Sequence, residues 1–187
     1  MIQIVLGHSA GDASAGDAIA RAAARVNGEH AAVGRPCVHY IVDTPGLADR
    51  VAYYRVADVL LATPLREAAS TVALEFVAAA RPEAALVLSE LSGTAAVLPE
   101  AYLVNPHDDD GVRAGLTAAL SMEPAARVAK MARMRGYVTE YHAFTWAESF
   151  LRTLRATLPP PRAAAAVPVS GGVSHLTRSP HRVRLGS

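Results

Sequence analysis

The sequence predicts an α/β domain, a doubly wound and mostly parallel sheet of five strands. Short apolar runs recur through the first 104 residues, each closed by Gly, Pro, Asp or Asn and most followed by a stretch with helical periodicity. Strands that alternate with helices in this way pack as a parallel sheet with helices on both faces. No internal repeat interrupts the alternation.

In chain order, the first strand is Ile2–Leu6, ended by Gly7, and a helix capped by Ser14 or Asp17 is expected to run to Asn27 and Gly28, where glycine stops it. The glycine-rich connection 7–16 follows a strand but lacks the G-x-G-x-x-G order, so a plain connection is favoured there over a phosphate cradle. Gly34 and Pro36 turn the chain into a second strand, 37–42; residues 43–46 end it and a helix follows over Leu47–Val56. The third strand, 58–62, breaks at Thr63-Pro64 and resumes as a helix over 68–80, which Arg81-Pro82 terminates. Such a strand–turn–helix points the unpaired N–H groups of the helix start into the crevice beyond the strand ends, a natural seat for an anion or nucleotide.

The fourth and fifth strands are Ala85–Ser89 and 101–104, separated by a short helix near 94–98. Asp108, Asp109 and Asp110 cap a helix over 112–120 at its positive end; successive turn residues seldom converge on one ion, so a metal site is not expected there. A helix opened by Pro124 runs to Gly136 and another covers 146–158, with Tyr141, His142 and Trp146 expected to pack between them. Residues 159–187, rich in Pro, Ala, Gly and Ser, show no apolar periodicity and are expected to be a disordered basic tail beside a folded domain of residues 1–158.

At 187 residues the chain is one domain's worth. It carries 18 basic and 17 acidic residues, and four of the arginines lie beyond Leu158 with no acid among them. The domain itself is therefore mildly acidic, which gives no expectation of nucleic acid as a partner. Lys130 is the only lysine. The single Cys37 cannot form an internal disulfide, which fits a reducing compartment, and its apolar strand context favours a packed thiol over a reactive one. No signal peptide is apparent at the start and no apolar run approaches about 18 residues, so a cytoplasmic protein without a membrane partner is expected.

Several collinear stretches carry a family resemblance. Tyr54-Arg-Val-Ala-Asp-Val-Leu-Leu-Ala-Thr-Pro-Leu-Arg with Val72-Ala73 and Glu75-Phe76-Val77-Ala78 resembles the donor-site segment of trehalose-6-phosphate synthases. In the same order, Val26-Asn-Gly-Glu-His, Val33-Gly-Arg-Pro, Val38-His-Tyr, Leu86-Val-Leu-Ser-Glu-Leu-Ser-Gly-Thr-Ala-Ala, Ala101-Tyr-Leu-Val-Asn-Pro-His-Asp and Trp146-Ala-Glu-Ser-Phe-Leu resemble further motifs of those enzymes. The resemblance extends over residues 2–154. It implies one Rossmann-like half of a two-domain (GT-B) glycosyltransferase, the half that holds the nucleotide-sugar donor. The family reaction moves glucose from UDP-glucose to glucose 6-phosphate with retention.

By that resemblance Glu75 accepts hydrogen bonds from the ribose hydroxyls, and Glu67 stands where an aspartate holds glucose hydroxyls. Ala68, Ala69 and Ser70 replace Gly-Met-Asn, where backbone N–H groups approach sugar and diphosphate and where glycine's conformational freedom bears on the first position. Thr71 and Val72 complete the loop-to-helix segment, Thr71 replacing Leu, while Leu74 replaces Lys. The acceptor half and the Arg and Lys that grip the donor diphosphate have no counterpart, so the resemblance supplies no catalytic residue, no metal and no cofactor. The expectation is a synthase-like fragment that binds UDP-glucose or another nucleotide sugar weakly. The alternative is a non-catalytic interaction or regulatory module that associates with itself or with a full-length synthase, and a true start upstream of Met1 is a third possibility.

The resembled half has strand order 3-2-1-4-5-6, and its first strand has no counterpart here. Direct pairing of Ile2–Leu6 with strand 58–62 would close the gap and give 2-1-3-4-5. Each orphaned backbone group costs about 1–3 kcal/mol, which favours closure over an open slot. The crevice would then lie between residues 7–11 and 64–70.

Overall fold

The computed structural model describes residues 2–6, 13–42 and 44–157, with side chains from residue 15 onward. Residues 7–12 of the glycine-rich connection, with that side of the expected crevice, and the tail lie outside the described residues, whereas residues 13–16 already belong to a helix, so neither Ser14 nor Asp17 is its cap. Two units divide the chain, Met1–Trp146 and Ala147–Ser187. Five strands and six α-helices occur among the described residues: β1 (Ile2–Leu6), α1 (Ala13–His30), β2 (Val38–Val42), α2 (Leu47–Val56), β3 (Val59–Ala62), α3 (Thr71–Ala79), β4 (Ala85–Ser89), β5 (Tyr102–Val104), α4 (Asp109–Ser121), α5 (Pro124–Glu140) and α6 (Ala143–Thr157). A 3-10 turn, Gly93–Ala96, joins β4 to β5.

All strand pairs are parallel, as expected. Every residue of β4 is buried, and its side chains divide between two faces. Leu86 and Leu88 pack with Phe76 and Val77 of α3 and Met131 and Met134 of α5. Ala85 and Val87 pack with Val104 and with Ala119 of α4. A strand covered on both faces is the signature of a helix–sheet–helix sandwich, and each large apolar side chain so buried contributes roughly 1.5–3 kcal/mol. Arg135 of α5 ties the helix layer together by donating to the carbonyls of Val77, at 3.0 Å, and of Ala80, satisfying the end of α3.

The sheet is not continuous. β1 pairs with β2, β3–β4–β5 form a second sheet, and no ladder joins β1 to β3, so the expected direct pairing that would give 2-1-3-4-5 is not formed. Each part is anchored separately. β3 is held by β4 and by α3 behind it, whereas β2 is held by α1. Asn27 of α1 clamps β2: its Oδ1 accepts from the N–H groups of Cys37 (3.0 Å) and Val38 (2.9 Å), and its Nδ2 donates to the Val38 carbonyl (2.8 Å).

Several boundaries differ from expectation. α1 passes through Gly28 to His30, because Asn27 is used as that clamp and not as a terminator. α3 starts at Thr71 and not at 68, because the preceding residues are tied to the loop after β4. α5 continues through Gly136, where an added Cβ would meet nothing within 4 Å. Tyr141, the residue that caps α5, stacks on Tyr137 of that helix at 4.6 Å and is 55% exposed, and Trp146 is 68% exposed, so neither is buried as a packed residue would be. Asp108 does cap α4, its Oδ1 accepting from the Gly111 N–H at 3.1 Å. Cys37 is half-buried, its thiol 3.2 Å from Asn27 Oδ1.

Candidate functional site

Two loops leave the carboxyl ends of β3 and β4, and hydrogen bonds lace them together. Pro64 has no N–H to continue a ladder, and the chain leaves the sheet after Ala62. Glu67 then pairs with Ser92 as an isolated parallel bridge. The Gly93 N–H donates to the Glu67 carbonyl at 2.9 Å, and the Ser92 hydroxyl donates to Glu67 Oε2 at 3.3 Å. The Ser70 N–H donates to Thr94 Oγ1 at 2.7 Å, while Ser70 Oγ caps α3 by accepting from the Ala73 N–H. A Cβ at position 93 would lie 2.1 Å from the Ala68 carbonyl oxygen, so only glycine lets the two loops approach this closely. No non-glycine residue among the described ones has a positive φ, so alanine at 68 is unstrained and the glycine-like conformation considered there is not adopted.

Glu75 sits in the second turn of α3, where α2 presents Arg50 and Tyr54 one helical turn apart on one face. Arg50 grips its carboxylate with two bonds, Nε to Oε2 and Nη2 to Oε1, both 2.9 Å, and Tyr54 OH adds a third to Oε2 at 3.2 Å. Arg50 Nη1 donates further to the Pro45 carbonyl at 3.0 Å. The Arg50 hydrogen bonds hold the Glu75 carboxyl below the usual carboxylate range against the opposing effect of burial. Burial, followed by the Glu75 charge, pushes the Tyr54 phenol up.

Of the residues singled out from sequence, Ala68, Ala69, Thr71 and Val72 are exposed on the loop and the first turn of α3, Glu67 and Glu75 are half-buried, and Ser70 is buried. The Ser70 N–H is already used by Thr94, and the Glu67 carboxylate already accepts from Ser92. Arg50, Tyr54, Ser92 and Thr94 were not expected as part of the site. The spacing of Arg50 and Tyr54 was visible in the sequence; that their shared face meets Glu75 was not. A depression of about 550 Å³ on α4, lined by Asp110, Arg113 and Thr117 among others, is separate from these groups. Among the described residues no three His, Cys, Asp or Glu side chains gather as a metal site, and no helix is long and apolar enough to cross a membrane.

Parallel strands covered by helices on both faces, with a capped helix start beyond the strand ends, make this a parallel α/β domain of the Rossmann-like kind. A family model, Glycosyltransferase family 20, matches residues 1–156, and the chain belongs to that family. It is 42% identical over 149 residues to a trehalose-6-phosphate synthase of Mycobacterium marinum, covering 79% of this chain and 30% of that protein. The corresponding enzyme of Mycolicibacterium smegmatis is 42% identical over 140 residues, 74% of this chain and 28% of the relative. The chain thus spans about 30% of the length of these relatives.

Among solved structures, an E. coli trehalose-6-phosphate protein bound with UDP-2-fluoro glucose superposes with a TM-score of 0.76 at 32% identity, over 84% of this chain and 36% of that one. An α,α-trehalose-phosphate synthase (UDP-forming) from Burkholderia xenovorans in complex with glucose-6-phosphate gives a TM-score of 0.72 at 32% identity, over 82% and 35%.

Proposed function

We propose that this chain is the donor-side part of a trehalose-6-phosphate synthase-like glycosyltransferase of trehalose biosynthesis, binding UDP-glucose or a similar nucleotide sugar weakly and transferring no glucose by itself. The observation that carries this reading is Glu75, a carboxylate in the second turn of a Ser70-capped helix at the carboxyl ends of a parallel sheet, in a chain that matches these synthases. The bound UDP-2-fluoro glucose and glucose-6-phosphate of the structural relatives support the substrate class.

Weakness follows from the contacts. A hydrogen bond to a charged group is worth about 1.5–3 kcal/mol, so a diphosphate met by backbone N–H groups alone is held about two to four decades more weakly than one also held by two cations. Transfer also requires an acceptor held against the donor. The bonds already made by Ser70 N–H and Glu67 reduce what the loop can offer a sugar. UDP or UDP-glucose titrated by calorimetry should bind with a Kd of roughly 0.1–10 mM, and Glu75→Ala should abolish the signal. Tight binding, or binding indifferent to Glu75, overturns the reading.

One observation favours a second reading. Among the described residues β1 and β3 each keep one edge without a ladder partner, and Leu61 on β3 is 42% exposed. Such edges are templates for another strand, which fits a module that associates with a full-length synthase. Light scattering of the chain mixed with a full-length family member tests it: a stable complex supports association, and independent elution rejects it.

A further inference from the structure

We propose that Arg50 determines how this site reads a ribose: it occupies Glu75 so fully that the carboxylate cannot chelate both hydroxyls of a ribose diol until Arg50 lets go. The inference rests on the nucleotide-sugar reading of Glu75 given above.

The argument is a count of acceptor positions. An ionised carboxylate offers about four lone-pair positions, two on each oxygen. Arg50 Nε and the Tyr54 hydroxyl both donate to Oε2, and Arg50 Nη2 donates to Oε1. One position on Oε1 remains. A diol read by a single carboxylate needs two, so with Arg50 docked only one hydroxyl can be accepted. The grip is built into the fold: Arg50 and Tyr54 share one face of α2, and Arg50 Nη1 is fastened to the Pro45 carbonyl before that helix. It is also releasable, because the side chains of Arg50 and Glu75 are 32% and 31% exposed and the guanidinium has solvent to move into. Tyr54, which is buried, stays in place and takes one position, leaving three once Arg50 leaves.

Two consequences separate this role from a plain structural ion pair. The chain as it stands should distinguish poorly between UDP and 2′-deoxy-UDP, since reading the second hydroxyl requires Arg50 to be displaced. Removing Arg50 should create that discrimination. The ratio of the two affinities is the informative readout, because both ligands carry the same diphosphate and any change in local charge acts equally on them.

The full chain, Arg50→Ala and Arg50→Met are titrated with UDP and 2′-deoxy-UDP by ligand-observed NMR, which reads millimolar binding, and circular dichroism checks folding. The Kd ratio should stay within about twofold in the unmodified chain and rise to about tenfold in both variants, the factor that one additional hydrogen bond supplies. The Glu75 carboxyl, titrated by NMR without ligand, should lie below the usual range in the unmodified chain and move back toward it in the variants. A ratio that Arg50 replacement leaves unchanged, while Glu75→Ala still abolishes UDP binding, overturns the role of Arg50 and leaves the site intact. UDP binding that survives Glu75→Ala, or no binding by any of the chains, removes the site and this inference with it. A Glu75 carboxyl that titrates in the ordinary range shows that the grip is not formed and overturns the inference on its own.

Discussion

Among the described residues, Glu75 and Glu100 carry carboxyls that their arginine partners hold below the usual range, Glu75 through Arg50 and Glu100 through Arg133 at 2.6 Å. A carboxyl whose folded value is depressed stabilises the fold fully above the ordinary value of 4.5. That contribution is lost as pH falls from there through the lowered folded value, because the unfolded chain takes up protons first. Urea midpoints measured from about pH 6 to about pH 3 should therefore decline, and Arg50→Ala combined with Arg133→Ala should flatten the decline below the ordinary carboxyl value. Glu75 could be read from the sequence because its neighbours Val72-Ala73 and Phe76-Val77 match a known pattern. Its engagement by Arg50 could not, since the two lie 25 residues apart and meet only where α2 packs on α3. The same holds for Thr94, which reaches Ser70 across the strand ends.

At the level of elements, hydrophobic runs placed every strand core correctly, and two helix boundaries were misplaced where a tertiary bond outweighs a local signal. Asn27-Gly28 reads as a helix stop, yet the asparagine spends its side chain on the entry to β2 and the helix continues. Alanines 68 and 69 read as helix, yet the bridge between Glu67 and Ser92 holds that segment out of the helix until Ser70 caps α3. Asn27→Ala should leave two N–H groups and a carbonyl of the β2 segment without their partner and cost about 1–3 kcal/mol, measured by chemical denaturation. Asn27→Asp keeps the acceptor oxygen and loses only the donor, so it should fall between the two. An unchanged midpoint for Asn27→Ala would show that water replaces the clamp at no cost.

For the molecule as a whole, alternation of strand and helix foretold the parallel α/β architecture, while the break in the sheet was hidden. Pairing partners of a parallel strand are far apart in sequence, and no periodicity reports whether two edges meet. The composition of residues 159–187 leads to one further expectation. A segment that buries little apolar area cannot offset an ordering cost of roughly 1–2 kcal/mol per residue. Deleting 159–187 should leave the melting temperature of the remaining chain nearly unchanged, and a fall of many degrees would show that those residues pack against it.

The absence of a ladder between β1 and β3 also bears on cooperativity. Backbone hydrogen bonds that cross a sheet make its strands open together, and among the described residues no ladder joins the β1–β2 pair to the β3–β4–β5 core. The chain should therefore behave as two foldons of unequal stability instead of one two-state unit. In native-state hydrogen exchange, amides of Val38–Val42 should open locally at a free energy well below that of Ala85–Ser89, whose exchange waits for global unfolding. Equal opening energies for the two strands would show that helix packing alone couples them. If they differ, low denaturant should release α1, β1 and β2 as a unit while the layer around β4 stays folded.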